Sequence, residues 1–76
     1  MITTEKDKAK IRKKISDEVG YLSRSNIRFM EIDFKKLGMT YMNYQDAVKI
    51  SLDLIPEGWS LKWNENKKGV VVLKKP

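Results

Sequence analysis

The ionisable side chains of this sequence are lysines, arginines and carboxylates, and they limit the chemistry available to it. The chain has sixteen Lys or Arg residues and ten Asp or Glu residues, but no His and no Cys. The commonest general acid or base and the thiol nucleophile are therefore missing, together with the usual nitrogen and sulfur ligands of metals. Neither GxGxxG nor GxxxxGK(S/T), the loops that hold nucleotide phosphates, occurs. We predict a protein that is not an enzyme and uses no cofactor or small-molecule substrate.

Two carboxylates nevertheless have a spacing that could serve a metal ion. Glu31 and Asp33 are two residues apart, and a strand places such residues on one face. Hydrolytic metal sites usually draw carboxylates from several elements, whereas the other acids here are scattered among lysines. We interpret the pair as a solvated strand edge and predict no metal site. A carboxylate-metal nuclease that loses activity on Glu31→Ala is the competing hypothesis.

The lysines are the residues whose distribution indicates binding. The net charge of +6 divides into +2 over residues 1–20, +2 over 21–36, −2 over 37–58 and +4 over 59–76. Positive charge at both ends favours an anionic partner such as the phosphate backbone of nucleic acid. A solvated helix face and an edge that deters strand aggregation are the structural alternatives. The candidate phosphate contacts are Lys10, Lys13, Lys14, Lys62, Lys67, Lys68 and Lys74.

A second kind of binding residue occurs in LGMTYMNY, residues 37–44. Met39, Tyr41 and Met42 are adaptable side chains of the types enriched at protein interfaces. They are our candidate partner-binding residues, with a loop that covers the core as the structural alternative. They support a second functional hypothesis, a small adaptor or inhibitor that docks on an acidic surface of a larger protein.

Two tryptophans alternate with a leucine in WSLKW, residues 59–63. Trp59 and Trp63 could stack on unpaired bases. A chain of 76 residues has few large apolar groups, however, and can hardly leave two indoles outside its core. We expect both rings to be mainly structural.

Hydrophobic periodicity predicts the elements that position these residues. Thr4 is a candidate N-cap for a first helix, in which Ile11, Ile15, Val19 and Leu22 recur at helical spacing, with Gly20 as its C-terminal stop. Residues 27–34 alternate as a strand, and residues 44–54 form a second helix that ends before Pro56. Residues 59–75 then form a hairpin around NENKKG.

These elements predict one α+β domain over residues 1–76, in the order helix, strand, helix, β-hairpin. The hairpin needs a third strand for stability, so we expect a three-stranded antiparallel sheet packed on two helices. The order resembles that of a winged helix if DFKKLGM is a short helix capped by Asp33, and the lysine-tipped hairpin resembles its wing. The resemblance implies that residues 44–54 are a recognition helix, but the exposed positions of that helix sum to −1. We therefore expect backbone contacts from the first helix and the hairpin instead.

The N-terminus MITTEKDKAK has no apolar stretch after its charges, and the longest apolar run is Val70 to Leu73. We predict no signal peptide, no membrane segment and a cytoplasmic protein, since a spanning helix needs about 20 apolar residues.

Overall fold

The computed structural model describes residues 5–38 and 44–76. Met39, Tyr41 and Met42, and the expected N-cap Thr4, lie outside these residues. In chain order the elements are helix α1 (Glu5–Ser23), strand β1 (Phe29–Asp33), 3-10 helix η1 (Phe34–Leu37), helix α2 (Tyr44–Ser51), 3-10 helix η2 (Leu52–Leu54), strand β2 (Ser60–Trp63) and strand β3 (Val70–Lys74). The predicted α+β order of helix, strand, helix and hairpin is confirmed.

The three strands form one antiparallel sheet in the order β1-β3-β2. The central strand β3 is the run VVVL, and its Val71 and Leu73 are fully buried. Their partners across the sheet are Ile32 and Met30 on β1 and Trp63 and Leu61 on β2. This side of the sheet faces the helices, because the buried cluster joins these strands to Ile11, Ile15 and Leu22 of α1 and Ala47 of α2.

Helix α1 continues beyond the residue at which we expected it to stop. Gly20 lies inside the helix, which ends at Ser23. Leu22 is fully buried in the core, so the last turn is stabilised by packing that outweighs the low helix propensity of one glycine. The described residues include no helix with the length and apolar character needed to span a bilayer.

The short helix that the winged-helix resemblance required is present as η1. The side chain of Asp33 accepts a hydrogen bond from the Lys35 backbone N–H at 2.9 Å, which is the predicted cap. Gly38 closes η1 in the left-handed conformation, at φ 80°. This conformation suits glycine because it has no Cβ.

The predicted reversal at NENKKG is confirmed and is built by local hydrogen bonds. The side-chain oxygen of Asn64 accepts from the Asn66 backbone N–H at 2.9 Å. Gly69 follows at φ 80°, and a Cβ there would lie 3.1 Å from the Lys35 side chain. The turn therefore packs against the start of η1 as well as joining two strands.

One of the two tryptophans departs from its expected environment. Trp59 packs partly buried against the core, as expected, but Trp63 is 43% exposed. Trp63 is the last residue of β2, an edge strand, so neighbouring groups cover only part of its ring. The expectation that both indoles lie inside the core is wrong for Trp63.

A bidentate ion pair joins α1 to η2. The guanidinium of Arg12 donates to the two carboxylate oxygens of Asp53 at 2.7 and 2.9 Å, and to the Ile50 carbonyl at 2.7 Å. The hydrogen bonds from Arg12 lower the pKa of Asp53 from its ordinary value of 3.8. The ion pair thus fixes α1 relative to η2, although its two residues are 41 positions apart in the sequence.

We expect Asp53→Asn to lower the melting temperature at neutral pH. Because the folded-state pKa of Asp53 is depressed, its stabilisation is present above the unfolded value of 3.8 and is lost as pH falls through the folded value. The difference between wild type and Asp53→Asn in thermal unfolding should therefore shrink on acidification. Glu57→Gln, at an exposed acid without an ion pair in the described residues, is the control. Equal behaviour of the two variants would contradict a role for the pair.

The core contains one polar side chain without a partner in the described residues. Ser51 is fully buried, and its hydroxyl has no hydrogen bond there. It also gives no side-chain cap to η2. Such a group loses its hydration on folding and gains nothing in return.

Ser51→Ala should raise the free energy of unfolding by about 1 kcal/mol, because it removes an unsatisfied hydroxyl. Ala47→Ser, on the same buried stripe of α2, is the matched reverse change and should lower it by about 1 to 3 kcal/mol. Urea titration with an unchanged m-value measures both. A destabilised Ser51→Ala variant would mean that the hydroxyl is satisfied.

Candidate nucleic-acid interface

A cleft of about 580 Å³ runs beside the edge strand β1. Lys14 of α1, Lys36 of η1 and Lys67 of the hairpin turn all line it. Ile32 and Asp33 of β1 and Leu37 of η1 complete much of the surface. Three separate elements thus bring lysines to one concave region.

A smaller cleft of about 290 Å³ adjoins the first one. It is lined by Lys10 and Lys13, and it shares Lys14 and Leu37 with the larger cleft. The predicted lysines of the first helix and Lys67 therefore lie on the same side of the molecule. We call this pair of clefts, from Lys10 to Lys67, the lysine groove.

The lysine groove is close to charge balance. Five lysines and four carboxylates line the two clefts. Three ion pairs form among them: Lys13 with Asp17 at 3.2 Å, Lys14 with Glu18 at 3.7 Å, and Lys67 with Glu31 at 3.2 Å. Lys10 and Lys36 are exposed and form no ion pair within residues 5–38 and 44–76.

The carboxylates considered for a metal ion are both engaged in hydrogen bonds. Glu31 accepts from Lys67 at 3.2 Å and from the Asn64 side-chain amide at 2.9 Å. Asp33 caps η1. The described part of the chain has no group of three or more possible ligands placed to hold a metal ion.

Lys62 and Lys74 lie apart from the groove, on the side of the sheet away from the helices. Successive strand residues point to opposite sides, so this open face carries Phe29, Glu31 and Asp33 of β1, Ser60 and Lys62 of β2, and Val70, Val72 and Lys74 of β3. Lys62 and Lys74 are exposed and form no ion pair in the described residues. Lys68 is exposed in the hairpin turn. Six of the seven predicted lysines thus occupy two surfaces, and Glu31 and Asp33 belong to both.

Lys36 and Phe29 lie on these surfaces, but they are not among the binding residues that we predicted from the sequence. Lys36 follows Lys35 after a strand, and no spacing rule distinguishes it from other surface lysines. Phe29 is 57% exposed on the open face. The strand pattern did place it opposite Met30 and Ile32, so its exposure could have been inferred from a sheet covered on one side only.

Lys75 shows how a terminal lysine can be structural. Its ammonium donates to the carbonyl oxygens of Leu22 and Ser25 at 2.8 and 2.9 Å. Leu22 is in the last turn of α1, which has no basic residue of its own, and Ser25 follows the end of the helix at Ser23. Lys75 therefore satisfies carbonyls at the negative end of the helix dipole.

Lys75→Met should lower the free energy of unfolding by about 1 to 2 kcal/mol, through the loss of charged hydrogen bonds at the end of α1. Lys74→Met removes the same charge from the neighbouring exposed position and should leave stability nearly unchanged. Chemical denaturation of both variants makes the comparison. Equal losses would contradict the capping role.

No described residue of α2, the helix in the recognition position of the winged-helix resemblance, lines either cleft of the lysine groove. Among the exposed side chains of α2 are Lys49 and, just beyond it, Asp53, which is paired with Arg12. The short helix η1 and the hairpin complete the element order of that resemblance. No family model, curated protein or solved structure matches the chain, so the likeness is one of element order alone.

Proposed function

We propose that this chain is a non-enzymatic nucleic-acid-binding module that contacts phosphates through lysines of α1 and the C-terminal hairpin. The observation that carries the proposal is the continuity of the lysine groove. Lys14 and Leu37 belong to both of its clefts, so lysines distant in sequence meet along one side. The groove is close to charge balance, so its support for the proposal is the alignment of five lysines along one surface, where they could contact successive phosphates.

The ion pairs in the groove are compatible with this role. Lys13 and Asp17 form an exposed pair, and exposed pairs contribute at most about 1 kcal/mol. A phosphate can therefore take the place of the carboxylate at small cost. Lys10 and Lys36, exposed and outside the ion pairs of the described residues, can meet phosphates directly.

The location of the acidic residues also supports the lysine groove and the open face as the surfaces that bind nucleic acid. Residues 37–58 have a net charge of −2, and α2 and η2 belong to that segment. A phosphate backbone is repelled there and attracted at the groove and the open face. Contacts of this kind position a nucleic acid without reading its bases.

Binding to B-DNA should weaken steeply with salt. With four to six phosphate contacts, the plot of log K against log salt should have a slope of about −4 to −5. Lys10→Gln and Lys36→Gln should each weaken binding and reduce that slope by about 1. Fluorescence anisotropy of a labelled duplex over a salt series measures both quantities.

Lys49→Gln is the matched control, since it removes one exposed lysine from the acidic segment. Lys49→Gln lowers the net charge by the same amount as Lys10→Gln or Lys36→Gln, but it should leave the slope of log K against log salt unchanged. Equal effects of all three variants would show that only net charge matters, and salt-independent binding would exclude phosphate contacts.

An acidic protein surface is the competing partner, because the same lysines would fit it. Under that hypothesis this chain is an adaptor or inhibitor, and it also contacts its protein partner through Met39, Tyr41 and Met42. Replacing Met39 and Met42 by Ala should leave nucleic-acid affinity unchanged under our proposal. A partner protein that stays bound in stoichiometric amount after nuclease treatment, and is lost from this double variant, would favour the adaptor.

A further inference from the structure

We infer that the open face of the sheet binds unpaired bases of a single-stranded nucleic acid, with Phe29 as the stacking residue. This inference rests on the proposed function and specifies its ligand. Phe29 is the most exposed large hydrophobic residue in the described part of the chain, at 57%. It belongs to β1 and is thus held by a paired strand.

The strand register places cations next to this ring. Phe29 is directly opposite Lys74, and such neighbours have Cβ atoms about 4.5 to 5.5 Å apart. Lys62 is the diagonal neighbour of Lys74 on β2, about 7 to 8 Å away. An aromatic ring and two ammonium groups therefore run obliquely across three strands.

The lysines of this face favour an anionic ligand, and the exposed Phe29 ring favours one with planar aromatic groups. Lys62 and Lys74 form no ion pair in the described residues, while the Glu31 carboxylate is held by Lys67 and Asn64. Asp33 lies on the same side and caps η1, so the attraction of this face for an anion comes from the two lysines outside ion pairs and not from a net positive charge. Aromatic side chains that stack on bases, flanked by lysines that follow the backbone, are the usual design of single-strand-binding surfaces.

Other occupants fit this face less well. In a duplex the base faces are stacked on one another, so Phe29 would have no partner there. A second copy of the chain packed by a two-fold axis would bring two identical sets of lysines together, and like charges would oppose it.

The decisive experiment compares Phe29→Ala with wild type on a 20-nucleotide oligothymidine strand and on a duplex of equal length, by fluorescence anisotropy. Wild type should prefer the single strand. Loss of one base stack should weaken single-strand binding by about 5- to 160-fold and duplex binding by less than about 2-fold. Tyr21→Ala, at an aromatic residue 49% exposed on α1, is the matched control and should alter neither. Thermal unfolding checks that each variant is folded.

The outcomes separate this inference from the function on which it rests. If binding depends on salt and on Lys10 but not on Phe29, the nucleic-acid module stands and the stacking site is wrong. Equal losses on single strand and duplex would also overturn the stacking site. If neither nucleic acid binds with salt dependence, both proposals fail. Salt-insensitive binding of wild type to anionic phospholipid vesicles without oligonucleotide binding would also overturn both.

Discussion

The burial of one side of a three-stranded sheet is the constraint on which the rest of the structure depends. Val71 and Leu73 in the central strand are fully buried beneath α1 and α2. Both helices lie on the same side, so the described elements leave much of the other side of the sheet open, although Val70 at one end of it is buried. A domain of this size buries only about 60% of its unfolded surface, and it cannot cover two faces with two helices.

The lysine and arginine side chains have different roles in this fold. Lys75 satisfies the end of α1, and Arg12 fixes α1 to η2 through Asp53. The lysines of the groove are mostly paired with carboxylates, whereas Lys62 and Lys74 on the open face are not paired in the described residues. A count of basic residues along the chain treats all of these alike, although only some are available to a phosphate.

Local patterns predicted much of the fold. The spacing of Ile11 and Ile15, the cap at Asp33 and the NENKKG turn depend on neighbours in sequence, and all three are as expected. The end of α1 and the exposure of Trp63 depend on packing from distant segments, and there the expectations were wrong. The Arg12–Asp53 pair and the lysine groove join residues far apart in the chain, so spacing alone could not predict them. Phe29 could have been recognised from strand alternation.

We propose that nucleic acid binds at two adjoining surfaces, the lysine groove and the open sheet face, which share Glu31. NMR chemical-shift mapping of the labelled protein with the oligothymidine strand tests it most directly. Our account predicts the largest amide shifts at Phe29, Lys62, Lys74 and Lys14, all reversed by added salt. Shifts confined to α2 and η2, or no shifts at low salt, would contradict it.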